Sequence, residues 1–201
     1  LTYKLLRQFN EDVFNMVGRQ MGDAMARKKN RDVIALFSAL NGGTAYGGDG
    51  KSLSLANAAG CVGNIKGVPA PEPIVAVHHP HALTTLAKSA AAIGATYYAG
   101  ILGDFSESLL RNFWKIKIDG VNFFQTGDID KITGYDSGYG AIFSKSAMAF
   151  IESQAPMVER EKDISNRAWE VVMTTDYGCF ELDDSYGAPM QYEIGTLTTD
   201  A

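Results

Sequence analysis

Cysteine and histidine are scarce in this chain. Its 201 residues hold two cysteines, Cys61 and Cys179, and three histidines. Neither cysteine belongs to a Cys-x-x-Cys pair, which removes zinc ribbons and thioredoxin-type redox centres from consideration. Two reduced, mostly buried thiols are the expectation, consistent with synthesis in a cytoplasm. No apolar run approaches the ~20 residues of a membrane span, so no membrane partner is expected. Glu11, Asp12 and Arg19 interrupt the amphipathic opening stretch, which is therefore not a secretory signal. The first residue is Leu and the chain opens inside a helical pattern; the natural product is expected to extend further at its N-terminus. There is no internal repeat and no low-complexity segment. No Gly-x-Ser-x-Gly elbow and no His-Glu-x-x-His helix occurs. Positive charge is also in deficit: 18 Lys and Arg against 23 Asp and Glu leave a net charge of -5. A surface of that sign does not grip DNA as a whole, because phosphate neutralisation needs clustered cations. A protein that encloses DNA needs only one tolerant face.

The residues present are enough for a core. Hydrophobic residues make up 46% and charged residues 20%, which fits a folded α+β chain of one domain or two small lobes. Leu6, Phe9, Val13, Val17, Met21 and Ala24 recur at spacings of three and four. They predict one helical stripe, resumed by Val33, Ile34, Phe37 and Leu40 after a charged interruption. Asn41-Gly42-Gly43 is a helix stop. One long helix over 1–40, or two joined near Asn30, is the expectation. At 1.5 Å per residue a continuous rod reaches ~60 Å, more than a compact domain needs, and points to an elongated, platelike subunit.

Ser52 or Ser54 is placed to cap a short helix carrying Leu55, Ala58, Val62 and Ile65. Pro69, Pro71 and Pro73 make a connector, and Ile74-Val77 reads as a buried strand. Pro80 suits the first turn of a helix with Leu83, Leu86, Ala87 and Ala90, ended by Gly94. A short helix around Phe105-Leu110 precedes a hairpin: Lys115-Ile118, a turn at Asp119-Gly120, and a return through Val121-Phe123. Tyr139-Phe143 is a further strand and Ser146-Ile151 a short helix. Extended stretches follow at Met157-Ile164, Ala168-Thr175 and Phe180-Leu182. Tyr186-Gly187 turns, and Met190, Tyr192 and Ile194 alternate.

Four groups of residues bear on chemistry. Ala45 to Ser52 imitates a phosphate-binding loop, but Ala45 stands where glycine is required and a helix precedes it instead of a strand. It reads as a surface loop. His78, His79 and His81 cluster, but successive strand residues point to opposite faces and Pro80 starts a helix, so they are poorly set to share a metal. One packed imidazole and one helix cap is the plainer reading. Glu159, Arg160, Glu161, Lys162 and Asp163 alternate in charge on an extended stretch, the pattern of an exposed or subunit-facing edge with salt bridges. Arg27, Lys28, Lys29 and Arg31 form the dense basic patch, without the interleaved aromatics of a single-strand binder. They make a solvated helical face, an inner surface facing DNA, or a contact for an acidic neighbour.

Several stretches, in order, resemble tailed-bacteriophage major capsid proteins of the Hong Kong-type coat fold. Val75 to Leu83, with its His-Pro step, looks like the strand, turn and helix of such coats. Phe113 to Thr126 looks like the hairpin that follows. Gly138 to Ala147 is similar to the glycine, apolar strand and Ala-bearing helix stretch. Ala168-Val172 and Asp176-Phe180, with its Tyr-Gly step, resemble the closing strands. The resemblance implies a spine helix of a peripheral domain over 1–40, a mainly axial domain over 41–150 and a β-rich return through both over 151–201. It also places an N-terminal arm and an extended loop ahead of the spine helix; neither stands there in this sequence.

Its functional implication is a non-enzymatic, cofactor-free shell protein. Hexamers and pentamers would enclose double-stranded DNA in a virion, with scaffold, portal and cement proteins as further partners. Glu159 to Asp163 and the loop-rich middle are expected at subunit boundaries. Reversing Arg160 and Lys162 to Glu is then expected to impair assembly and spare the fold. An encapsulin-type cellular shell keeps the fold and changes the cargo; neighbouring genes for portal and terminase, or for a peroxidase or ferritin-like cargo, separate the two. A small α+β hydrolase or metal enzyme using His78 to His81 predicts stoichiometric metal and a concave site. A phage accessory protein would bind shells without forming one.

Overall fold

The computed structural model describes residues 2–4, 13–96 and 116–197. Leu6, Phe9 and the expected helix at Phe105-Leu110 lie outside them. The chain divides into two compact units. One comprises Leu1–Asp32 and Phe150–Cys179, the other Val33–Ala149 and Phe180–Ala201.

The larger unit is built on a six-stranded mixed sheet. Its strands are β1 (Tyr46–Gly47), β2 (Ile74–His78), β3 (Ile116–Ile118), β4 (Val121–Gln125), β5 (Ser137–Ser144) and the last strand, β8 (Gly187–Glu193), in the order β1-β8-β5-β2-β4-β3. β2 runs parallel to β4 and antiparallel to β5, and β5 runs antiparallel to β8. Helices α2 (Leu55–Lys66) and α3 (Pro80–Thr96) supply one side of the core. Ala58, Cys61, Val62 and Ile65 of α2 and Ala82, Leu83 and Leu86 of α3 are buried with Ala76, Phe123, Ile142, Met190 and Tyr192 of the sheet. A second cluster holds Phe37, Leu40, Ala141 and Ala147, with Val33, Val77 and Phe143 packed against it. Alternation along β2 and β5 sends Ala76 and Ile142 into the first cluster and Val77, Ala141 and Phe143 into the second.

Most local expectations hold here for stated reasons. Ser54 caps α2, its hydroxyl accepting from the Asn57 N–H at 3.2 Å. Asp119 and Gly120 both take positive φ, +45° and +83°, as a tight hairpin turn requires. α3 begins at Pro80 but runs through Gly94 to Thr96, so Gly94 is not its stop. A lone glycine lowers helix stability by only ~1 kcal/mol relative to alanine, less than flanking turns supply.

The smaller unit consists of the helix α1 (Val13–Ala35), up to Asp32, and the paired strands β6 (Met148–Asp163) and β7 (Ala168–Glu181), from Phe150 to Cys179. α1 passes Asn30 without a break and ends at Ala35, five residues short of the expected limit; Leu36–Ser38 and Leu40–Gly43 tighten into 3-10 turns. The stop signal at Asn41 and Gly42 is real, with φ of +50° and +62°, but it terminates the 3-10 turns. The short helix expected at Ser146-Ile151 is absent. Ala147 closes a turn by donating its N–H to Ser144 O, and β6 starts at Met148. A six-residue helix has too few internal bonds to hold alone, whereas β6 gains a sixteen-residue partner-bearing strand. The separate stretches after Ala168 are likewise one strand, β7.

Replacing Ser54 by Ala removes the α2 cap and is expected to lower stability by ~1 kcal/mol, read as a shifted denaturant midpoint with an unchanged slope.

Candidate interface surfaces

The histidines are consumed by structure. His78 is fully buried, and its Nδ1 accepts from the His79 N–H at 2.9 Å. That leaves the proton on Nε2, which donates to Met190 O at 3.1 Å. Burial holds its pKa down at about 4, so the ring stays neutral. The His79 ring accepts from the His81 N–H at 3.2 Å, capping the first turn of α3. His81 Nδ1 donates to Ile194 O and Gly195 O. Among the described residues no group of three metal-ligating side chains is assembled. The phosphate-loop imitation is equally structural. Tyr46 pairs with Met190 across parallel strands, and Gly48 N–H donates to Gln191 O at 2.9 Å. A Cβ on Gly47 would stand 2.5 Å from Gln191 O, so the glycine permits this close docking and not a phosphate turn.

In the smaller unit the two candidate charge groups separate by role. Of the basic patch, Lys28 pairs with Asp32 one helical turn on, and Lys29 reaches Glu152 of β6 while lying 5.5 Å from the Tyr177 ring centre. Asp32 also accepts from the Tyr177 hydroxyl. Those bonds hold the Asp32 carboxyl below its usual range and push the Tyr177 phenol up to about 12. Arg27 and Arg31 are exposed. The patch therefore contributes to a fastening between helix and ribbon through Lys29, which its sequence density concealed.

The alternating stretch is exposed from Glu159 to Lys162. Asp163 differs. It accepts from the Ser165 hydroxyl and from both the backbone and side-chain nitrogens of Asn166, which holds its pKa near 2 and fixes the turn into β7. Arg160 lies 5.5 Å from the Phe14 ring and Lys162 5.9 Å from the Tyr3 ring, so even-numbered residues of β6 face the N-terminal segments. Odd-numbered residues then face away: Ile151, Met157, Glu159 and Glu161, joined from β7 by Glu170, Val172 and Asp176. That face of the ribbon carries no Lys or Arg. The alternation in sequence led to the expectation of a charged edge with salt bridges, but not to that of a purely acidic face, because β7 supplies the rest.

Large apolar side chains are also left uncovered. Met16, Ile151, Met157, Val158, Ile164 and Val172 are all more than two-fifths exposed, and Val13 is the buried apolar residue that the unit shows among its described residues. Such a surface belongs against another surface.

The phage capsid protein family model matches residues 1–188. The chain belongs to the phage capsid protein family. Solved structures agree on the fold. A Mycobacterium phage Che8 chain superposes with a TM-score of 0.72 at 12% identity, covering 94% of this chain and 67% of that one. The capsid of cyanophage P-SCSP1u gives 0.65 at 13%, covering 98% and 70%. An encapsulin complex from Synechococcus elongatus gives 0.67 at 10%, covering 100% and 74%. No curated protein sequence matches. Family and fold together make this a shell-forming coat protein with an α+β capsid fold. Its exposed charged and apolar ribbon is accordingly the surface of interest.

Two outcomes follow for the coat protein. Because His78 has a folded pKa of about 4 against 6.5 unfolded, the unfolded state binds the extra proton between those values. Stability is therefore full above about pH 6.5 and falls as pH drops toward 4, by up to roughly 3 kcal/mol. His78→Gln, which keeps a donor without the titration, should flatten that part of a stability-versus-pH curve. A Cβ at Gly140 would meet the His78 ring at 2.2 Å and Val77 O at 2.5 Å. Gly140→Ala should then destabilise by roughly 1–3 kcal/mol or more, measured by thermal unfolding.

Proposed function

We propose that the coat protein is the major capsid protein of a tailed phage, its copies grouped as hexamers and pentamers around double-stranded DNA in the virion. The observation that carries this reading beyond the family is the state of the smaller unit: one helix on a two-stranded ribbon, with exposed apolar side chains on both strands. A lobe this small that buries so little apolar surface has little stability of its own, and repeated contacts with neighbours supply the missing burial. In this reading the smaller unit is the peripheral lobe and the sheet unit the axial lobe. Glu159, Arg160, Glu161 and Lys162 lie at a subunit boundary, with Asp163 holding their strand in place. Arg27, exposed on the helix, is the member of the basic patch that would face DNA or an acidic neighbour, while Lys28 and Lys29 pair with Asp32 and Glu152 within the unit. Scaffold, portal and cement proteins are the further partners. The role is structural, not catalytic.

The fold shared with an encapsulin supports a second reading, a cellular shell around protein cargo. The phage family match favours the first.

The full-length gene product, expressed with and without any scaffold from the same gene cluster, is expected to form closed shells by negative-stain microscopy. A monodisperse monomer that never assembles in either condition would remove the coat reading. Shells that retain one enzyme from the host, and no DNA when the packaging genes are present, would favour the cellular compartment.

A further inference from the structure

The turn end of the ribbon has two electrically opposite faces. On one, Thr2 bridges to Ala168 and the Tyr3 N–H donates to Arg167 O at 3.0 Å. These N-terminal residues and the turn line an open cleft of about 780 Å³. Among the described residues its charged lining is Lys4, Lys162 and Arg167, all cations. The Tyr3 hydroxyl is buried with no hydrogen-bond partner among the described residues. Ile164, at the rim, is 78% exposed. The adjacent carboxylate, Asp163, is occupied by Ser165 and Asn166. Arg167 holds a φ of +48°, left-handed backbone in which glycine or asparagine is less strained. A strained position that carries a long cation at the mouth of a cationic cleft is better explained by its side chain than by its turn. The opposite face is the acidic one described above, with Glu159, Glu161 and Glu170 exposed near the same end.

We infer that the cationic cleft of one copy receives the carboxylates of Glu159 and Glu161 from the acidic face of a second copy, head to tail. The inference rests on the shell-forming reading and names the contact that reading leaves open. Lys and Arg pairing with carboxylates gives short, charge-assisted hydrogen bonds, and the Tyr3 hydroxyl has a proton to donate. A nucleic-acid phosphate would satisfy the cations equally. It would leave the acidic face and the exposed Ile164, Ile151 and Met157 unmet, whereas a second copy answers both faces with one contact. Because cleft and acidic face are different surfaces, the contact is heterologous and suits a closing ring.

The test uses the full-length coat protein in three variants, with far-UV circular dichroism to confirm folding and sedimentation to measure the assembled fraction. Lys4→Glu with Arg167→Glu should lower assembly about tenfold or more by placing like charges together. Glu159→Lys with Glu161→Lys should do the same. The variant carrying all four changes restores opposite charges across the contact and should recover shells. A cleft-reversed variant that assembles like wild type overturns the inference, as does failure of the combined variant when all three are folded. A phosphate site would be lost in the first variant and not regained in the combined one. If reversal disturbs folding, Lys4→Ala with Arg167→Ala decides instead: wild-type assembly should weaken with added salt, and the alanine variant should show much less of that dependence. Wild type that never forms shells removes the coat reading itself; wild-type shells indifferent to all these changes remove this contact alone.

Discussion

A two-stranded ribbon against a single helix cannot close a hydrophobic core. That constraint governs the smaller unit and explains how differently the two units are built. In the sheet unit, β5 and β8 are central strands buried along most of their length, with α2 and α3 on one face and the 3-10 turns around Phe37 and Leu40 on the other. In the smaller unit the strands are longer, sixteen and fourteen residues in all including the ends that pass into the other unit, yet their side chains remain mostly exposed. Local devices compensate: Asp163 locks the turn, Phe14 meets Trp169 edge-on, and Lys29 ties helix to ribbon. Each is a surface interaction of modest strength. They orient the ribbon without sealing it.

The sheet unit was the more legible in sequence because its signals are local. Ser54 capping a helix, Asp119-Gly120 closing a hairpin and Pro80 opening α3 are each decided within a few residues. The His78-Pro80 step was read correctly as a packed ring and a capped helix for the same reason. Once Pro80 starts a helix, the His79 ring is within reach of its free N–H groups. What no local rule could supply was the partner of His78 Nε2, since Met190 stands more than a hundred residues away.

The ribbon was less legible, and physically so. Ser146 to Ile151 has the composition of a helix turn, and only pairing with β7 makes it strand. The alternation from Glu159 to Asp163 was visible, but alternation alone does not say what lies on either side. Phe14 and Tyr3 take the cationic side, β7 adds Glu170 and Asp176 to the acidic side, and Asp163 leaves the pattern to serve the turn. Likewise the run Arg27 to Arg31 looked uniform in sequence. Helix geometry gives its members different partners: Lys28 meets Asp32 one turn on, and Lys29 meets Glu152 on the ribbon.

Charge, not more apolar area, on the open faces of the ribbon has a physical logic for a coat protein. A ribbon with fully apolar outer faces would pair edge to edge or face to face as soon as it folded, without regard to geometry. Charged faces stay wet in the monomer and attract only where signs are complementary. At ordinary ionic strength that attraction fades beyond a Debye length of ~10 Å, so it discriminates at contact and not at a distance. Individually such contacts are weak enough to dissociate, which lets a misplaced copy leave. In the proposed shell, closure multiplies them, and the exposed isoleucine, methionine and valine side chains beside them add burial once the register is right. Weak, sign-selective contacts beside apolar patches thus divide the work between choosing the arrangement and holding it.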